Sequence, residues 1–200
     1  MAREGLPFLF VTIAAAAAVW QFGNALYVIP IALVLVWLLL VFRDPARIVP
    51  AVPLGVVSPV DGKVIEIKLT DSGALGGEAH RVLIRVNSLG TYTARCPAEG
   101  KIMDFRAAVP ASAAIGKASG LWVRTDEGDD VILQFHGHRF GFAPLAFLGY
   151  GERVGQGQRC AYLRLTRVAE VQLPINSRVM VEAGQQVSAG VDLLAKLPHP

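Results

Sequence analysis

From Gly5 to Phe42 the chain runs through 38 residues without one charged side chain. A stretch that long and that apolar belongs in a lipid phase or under other protein. Leu6 to Trp20 is apolar apart from Thr12, and Ala25 to Phe42 is apolar throughout. Gln21-Phe22-Gly23-Asn24 separates the two runs, and Gly and Asn favour a turn there. At about 1.5 Å per residue the runs predict helices of roughly 22 and 27 Å, against a hydrocarbon core of ~30 Å. Two arrangements fit: a pair of short transmembrane helices, or a hairpin that enters the bilayer and returns. Both leave the two ends on one side. Arg3 flanks the first run and Arg43 and Arg47 the second, while the turn is uncharged, so that side is the cytoplasmic one. A cleaved signal peptide fits less well, because Arg3 is the only basic residue before the first run and the second run follows at once.

Residues 43–200 are of another kind. They carry 18 Lys and Arg against 15 Asp and Glu, a scattered basic excess that excludes nucleic acid as a partner and suits an anionic lipid surface. Their length is enough for one core-forming domain. Val64-Ile65-Glu66-Ile67, Val82-Leu83-Ile84-Arg85-Val86, Leu121-Trp122-Val123-Arg124 and Val131-Ile132-Leu133-Gln134-Phe135 are β-branched or aromatic and bounded by turn residues. Each reads as a strand. The small-residue segment 106–119, interrupted by Pro110 and Gly116, reads as a loop facing the bilayer. Cys96 and Cys160 show no metal or redox spacing and are expected as free thiols in the core.

Two internal echoes organise this second part. Pro59-Val60-Asp61-Gly62-Lys63-Val64 returns 38 residues later as Pro97-Ala98-Glu99-Gly100-Lys101-Ile102. Gly151-Glu152-Arg153-Val154-Gly155-Gln156-Gly157 returns 33 residues later as Gly184-Gln185-Gln186-Val187-Ser188-Ala189-Gly190. Each Gly-x-x-Val-x-x-Gly predicts a turn entering a hairpin with glycines at positive φ. Paired strand–turn units of this kind are those of barrel-sandwich domains. A lipoyl or biotinyl carrier would need a modifiable Lys at a hairpin tip, and neither Gly repeat contains one. The expected architecture is therefore mainly β: a membrane-anchoring helical hairpin over residues 1–42, then a barrel-sandwich-like β domain with internal repeats over residues 43–200.

Several motifs occur in order along the chain: Arg3-Glu4-Gly5-Leu6-Pro7-Phe8, Phe42-Arg43-Asp44-Pro45, Ser58-Pro59-Val60-Asp61-Gly62-Lys63-Val64, and Arg95, Pro97 and Gly100. Lys117-Ala118-Ser119 with Arg124, then Tyr162-Leu163-Arg164-Leu165 and Val171-Gln172-Leu173-Pro174, complete the series. Together they resemble the phosphatidylserine decarboxylase family in its short bacterial, membrane-anchored form, whose chains read FFRDP and SPADGKV at the second and third of these places. The resemblance covers nearly the whole chain. It implies an Asp–His–Ser set that cuts the chain at a Gly-Ser bond. The new N-terminal Ser becomes a pyruvoyl group, whose carbonyl takes the substrate amine as a Schiff base and accepts electrons as CO₂ leaves.

Matched residue by residue, the chain keeps one of the three. Asp61 stands at the family's Asp. Tyr92 stands at its His and Gly90 at the preceding Asp. Counting back from Val171-Gln172-Leu173-Pro174, Arg167 stands at the Ser and Thr166 at its Gly. Trp122 and Val123 replace an Asn-Glu pair. Phenol is a poor base at neutral pH and guanidinium is no nucleophile. A shift of one residue sets Thr166 at the Ser instead; Thr is a nucleophile, but it would yield a ketobutyryl group, and Leu165 would precede it where the family has Gly. The reading is a divergent member lacking the processing site and the catalytic His: a pseudoenzyme that binds lipid headgroups or a membrane partner in phospholipid metabolism. The alternative is an active carboxy-lyase making phosphatidylethanolamine, self-processed at Thr166. No cofactor is expected, with a pyruvoyl group only if self-cleavage occurs.

Arg43, Arg47, Arg95, His136 and His138 are the expected headgroup contacts. His136 and His138 lie two apart on a strand and face one way, which also makes them half of a metal site with Asp61 or Glu170 as a third ligand. Solvated polar groups on a strand face explain them more simply, and no metal is expected. The expected partners are a phospholipid membrane and a membrane protein. The expected location is the inner membrane, with the β domain on its cytoplasmic side.

Overall fold

The computed structural model describes residues 5–22, 28–71, 73, 76–88, 90–104, 119–137 and 144–198. The chain divides into two compact units, Met1–Ala46 and Arg47–Pro200.

In the first unit, α1 (Leu6–Phe22) and α2 (Val28–Val41) are apolar on every face. Pro30 falls in the first turn of α2, where a missing N–H costs nothing. The Thr12 hydroxyl donates to the Phe8 carbonyl at 2.8 Å, so the one polar side chain of its run is satisfied within its own helix. The helices run antiparallel. The Phe8 ring stacks on Phe42 at 5.8 Å, and Val11, Thr12 and Ala15 line a groove with Pro30, Ile31 and Val34. At 17 and 14 residues they measure about 26 and 21 Å. No helix among the described residues is long and apolar enough to cross a membrane. The expectation of a transmembrane pair is not supported on that point: α1 at 17 residues and α2 at 14 both fall short of the length a span needs.

The second unit is antiparallel β. The strands are β1 (Gly55–Val57), β2 (Gly62–Thr70), β3 (Ala79–Val86), β4 (Thr93–Arg95), β5 (Gly100–Asp104), β6 (Ser119–Arg124) and β7 (Asp130–His136). They continue with β8 (Leu145–Ala146), β9 (Arg153–Val154), β10 (Arg159–Tyr162), β11 (Val168–Pro174), β12 (Arg178–Val179), β13 (Gln186–Val187) and β14 (Leu193–Lys196). One sheet has the order β13-β2-β3-β11-β7-β6-β5-β9, and two small sheets have the orders β1-β14-β12 and β4-β10-β8. All four strands expected from sequence lie inside β2, β3, β6 and β7. The 106–119 segment lies outside the described residues except for Ser119, which opens β6.

Val82, Ile84, Val86, Val123, Leu133, Phe135, Ala169, Val171, Val187 and Leu194 meet in one core. In β7 and β11 both faces are buried over most of their length, as expected for strands at the middle of a covered sheet. Cys96 and Cys160 are free and buried in this core, and burial beside each other pushes the Cys160 thiol up.

The echoes in the sequence are echoes in space. Gly62 and Lys63 pair with Val187 and Gln186, while Gly100 and Lys101 pair with Val154 and Arg153. The Gly184 N–H donates to Val64 at 2.7 Å and the Gly151 N–H to Ile102 at 2.8 Å. Gly157 and Gly190 have φ of +71° and +70°, values that only Gly holds without strain. Each strand of the first echo is thus completed by a turn of the second. Among the described residues the large sheet nonetheless stays open: its edges β13 and β9 are two-residue strands that end in these turns, so the expected barrel-sandwich closes no barrel there.

Candidate functional site

Asp61 sits at the elbow before β2, where its main-chain carbonyl accepts from Asn87 at 2.8 Å. Its carboxylate is engaged from three directions. Oδ2 accepts from the Thr91 N–H at 3.0 Å and the Thr91 hydroxyl at 2.8 Å, and Oδ1 from the Ala189 N–H at 2.8 Å. Arg47 Nη2 donates to both oxygens at 3.0 and 2.9 Å. Burial works to raise the Asp61 pKa, but the two N–H groups, the Thr91 hydroxyl and the Arg47 charge outweigh it and hold the carboxyl below its usual range. Gly90 is required here, because a Cβ on it would lie 2.8 Å from that of Asp61.

Tyr92 does not take up an imidazole's place beside this carboxylate. Its hydroxyl donates to the Ser88 carbonyl at 2.9 Å. The chain then meets Tyr92 again through the Leu163 N–H, which donates to the Tyr92 carbonyl at 2.7 Å. Leu163 opens a tight turn: the Thr166 N–H donates back to its carbonyl at 3.1 Å and the Thr166 hydroxyl to the same oxygen at 2.7 Å. Arg164 takes φ +51° in this turn, so the unusual backbone lies two residues before Thr166. Thr166 is buried and Leu165 is exposed.

These elements enclose one cavity of about 630 Å³, lined by Arg85, Asn87, Ser88, Tyr92, Thr166 and Arg167 among others. Its size is that of an ordinary small-ligand site. The cavity therefore gathers Tyr92, Thr166 and Arg167, while Asp61 stands beside it with its carboxylate turned to Arg47, Thr91 and Ala189. Arg95 is elsewhere: it donates to the Gly157 carbonyl at 3.0 Å, and a Cβ on Gly190 would touch its side chain at 2.7 Å. Arg43 belongs to the first unit and Arg47 to the second, where it is spent on Asp61.

His136 ends β7 directly opposite Val168. Its Nε2 lies 2.8 Å from Glu170 Oε2. Arg81 reaches the same carboxylate, with Nη2 2.9 Å from Oε2 and Nε 2.8 Å from Oε1, and Gln172 donates to Oε1 at 2.7 Å. Burial would raise the Glu170 pKa, yet His136, Gln172 and Arg81 bring it down to about 2. His138 lies outside the described residues. Among those described, no three His, Cys, Asp or Glu side chains converge as metal ligands.

Arg85, Thr91, Arg81 and Gln172 carry much of this geometry and were not singled out from sequence. Arg85 reads as the outward residue of an alternating strand, and Thr91 gives no signal until the loop folds onto Asp61. The Glu170 and Gln172 pair, polar residues in an otherwise apolar run, was the available sign of a buried polar cluster.

The geometry defines a class: a mainly β protein with a cation-lined cavity at the end of its central sheet. No protein-family model matches the chain. Over 204 residues it is 29% identical to a Nitrosomonas europaea protein named phosphatidylserine decarboxylase proenzyme, covering 98% of this chain and 94% of the relative. Proteins of the same name from Burkholderia ambifaria and Aromatoleum aromaticum are each 29% identical, over 205 and 206 residues and 98% and 99% of this chain, and 96% of each relative is covered. Over nearly its whole length, then, the chain is similar to proteins named phosphatidylserine decarboxylase proenzyme.

Proposed function

We propose that this chain is a phosphatidylserine decarboxylase-like protein that neither cuts itself nor decarboxylates, and that it binds lipid headgroups or a membrane partner in phospholipid metabolism. One observation carries the reading: the Asp61 carboxylate is engaged by Arg47, Thr91 and Ala189, and the Tyr92 hydroxyl by the Ser88 carbonyl, so neither family-matched position offers a free proton acceptor. General base catalysis typically contributes 10²–10⁴-fold, and without a nucleophile the covalent route is closed. The residues do not fit a pyruvoyl group. Arg167 cannot form one, and the Thr166 hydroxyl is tied to the Leu163 carbonyl.

The protein would work at the inner membrane through residues 1–42 as a re-entrant anchor, with the β unit on the cytoplasmic side. The flanking charges and the short antiparallel helices support that placement. A Cys at Asn24 or beside Met1, probed with an impermeant reagent on intact cells, tests it. No labelling at either position supports it; labelling at Met1 would overturn the cytoplasmic placement, and labelling at Asn24 would make the hairpin a spanning one.

A second reading has the relatives' name in its favour. They are called proenzymes, and this chain aligns over 98% of its length. An active lyase processed at Thr166 would leave two fragments. Mass measurement of the denatured protein separates the readings: one chain near 21.4 kDa supports the first, and a boundary at Leu165–Thr166 the second.

A further inference from the structure

We infer that the ligand of the cavity between Arg85 and Arg167 is a phosphate monoester dianion rather than an amine-bearing phosphodiester headgroup. The inference rests on the headgroup-binding reading and narrows it. Arg85 is next to last in β3 and Arg167 precedes β11, so two guanidinium groups line one cavity together with the polar Asn87, Ser88 and Tyr92. Among the described residues neither forms an ion pair, whereas Arg47, Arg81 and Arg124 are each paired with a carboxylate. Lys63 lies directly opposite Arg85 in the ladder and adds a third positive charge to that row.

What the cavity lacks matters as much. Among the described residues, none that lines it is Asp or Glu. Two buried carboxylates on neighbouring segments are already occupied, Asp61 by Arg47, Thr91 and Ala189, and Glu170 by Arg81, His136 and Gln172. Segments 105–118 and 138–143 contain no acidic residue that could supply one. A serine or ethanolamine headgroup would bring an ammonium for which the described lining offers no carboxylate. A phosphate monoester brings two negative charges and three terminal oxygens, the acceptor set that paired arginine forks hold best.

A monoester could come from a lipid or from a soluble metabolite, and calorimetry on the full chain in phosphatidylcholine nanodiscs separates them. The probes are dihexanoylphosphatidic acid, dihexanoylphosphatidylserine, glycerol 3-phosphate and inorganic phosphate. We expect phosphatidic acid to bind at least about tenfold more tightly than phosphatidylserine. Arg85→Gln and Arg167→Gln should each weaken it by about tenfold, with Arg124→Gln neutral. Thermal melts establish that each variant is folded. Equal binding of the two lipids, or indifference to both cavity substitutions, overturns the inference while the headgroup reading stands. Binding of glycerol 3-phosphate as tight as that of phosphatidic acid supports the monoester chemistry and makes its source soluble. Binding of none of the four overturns the inference and the headgroup reading together.

Discussion

One guanidinium nitrogen of Arg47 lies 3.0 and 2.9 Å from the two carboxylate oxygens of Asp61. The pair joins the first residue of the β unit to the elbow before β2, and Thr91 and Ala189 bring two more segments to the same carboxylate. A side chain that the family resemblance assigns to proton transfer is here a four-way tie.

Asp61→Asn should therefore act on stability. We expect a loss of about 2–4 kcal/mol in denaturant unfolding, since a half-buried guanidinium and two N–H groups lose their charged acceptor. Arg47→Gln should cost about 1–3 kcal/mol, and the double variant should cost less than the sum. Additive losses would show that the tie does not exist in solution.

The Glu170 cluster sets an acid limit. Its folded pKa of about 2 is depressed from 4.5, so its contribution is complete above the unfolded value and disappears as pH falls toward the folded one. Stability should drop between about pH 5 and 2, with Asp61 adding in the same direction. The shift corresponds to about 3 kcal/mol. Glu170→Gln should flatten this part of the pH profile; an unchanged profile would remove Glu170 as its cause.

Gly62 and Gly100 hold equivalent places in the two echoes, and a Cβ on either would lie 2.2 Å from a carbonyl oxygen, that of Arg85 or of Arg124. Gly62→Ala and Gly100→Ala should each cost more than 2 kcal/mol, about what backbone displacement and overpacking demand. Gly128 has a positive φ of +95° but open space around it, so Gly128→Ala should cost only about 1 kcal/mol. Similar melting temperatures for all three would contradict the close approach.

Self-cleavage offers the sharpest outcome. Tyr92→His, Thr166→Gly and Arg167→Ser should each leave the chain whole, because nucleophile, base and permissive backbone act as a unit. Any fragment should appear only in the triple variant, read by denaturing mass measurement. Cleavage in a single variant would mean that the missing groups are supplied elsewhere.

How much of this was legible in sequence depends on where each signal resides. β2, β3, β6 and β7 announce themselves through local β-branched runs. β11 does not: Glu170 and Gln172 interrupt its apolar pattern, and their burial makes sense only once Arg81 and His136 arrive from neighbouring strands. The echoes predicted paired strand–turn units, but nothing local could say whether the sheet closes. Tyr92, Thr166 and Arg167, distant in sequence, share a cavity. Arg85 joins them through ladder register, a long-range property that no single segment carries.

β11 also decides what a break in the chain would look like. It lies between β3 and β7, while β13 and β14, further along, lie against β2 and β1. Everything after Thr166 is therefore woven into everything before it. A nick at Leu165–Thr166 would leave two interleaved pieces that migrate together in a native gel and separate only on unfolding. Neither piece would be a freestanding domain, so one produced without the other should be recovered as an insoluble or degraded chain.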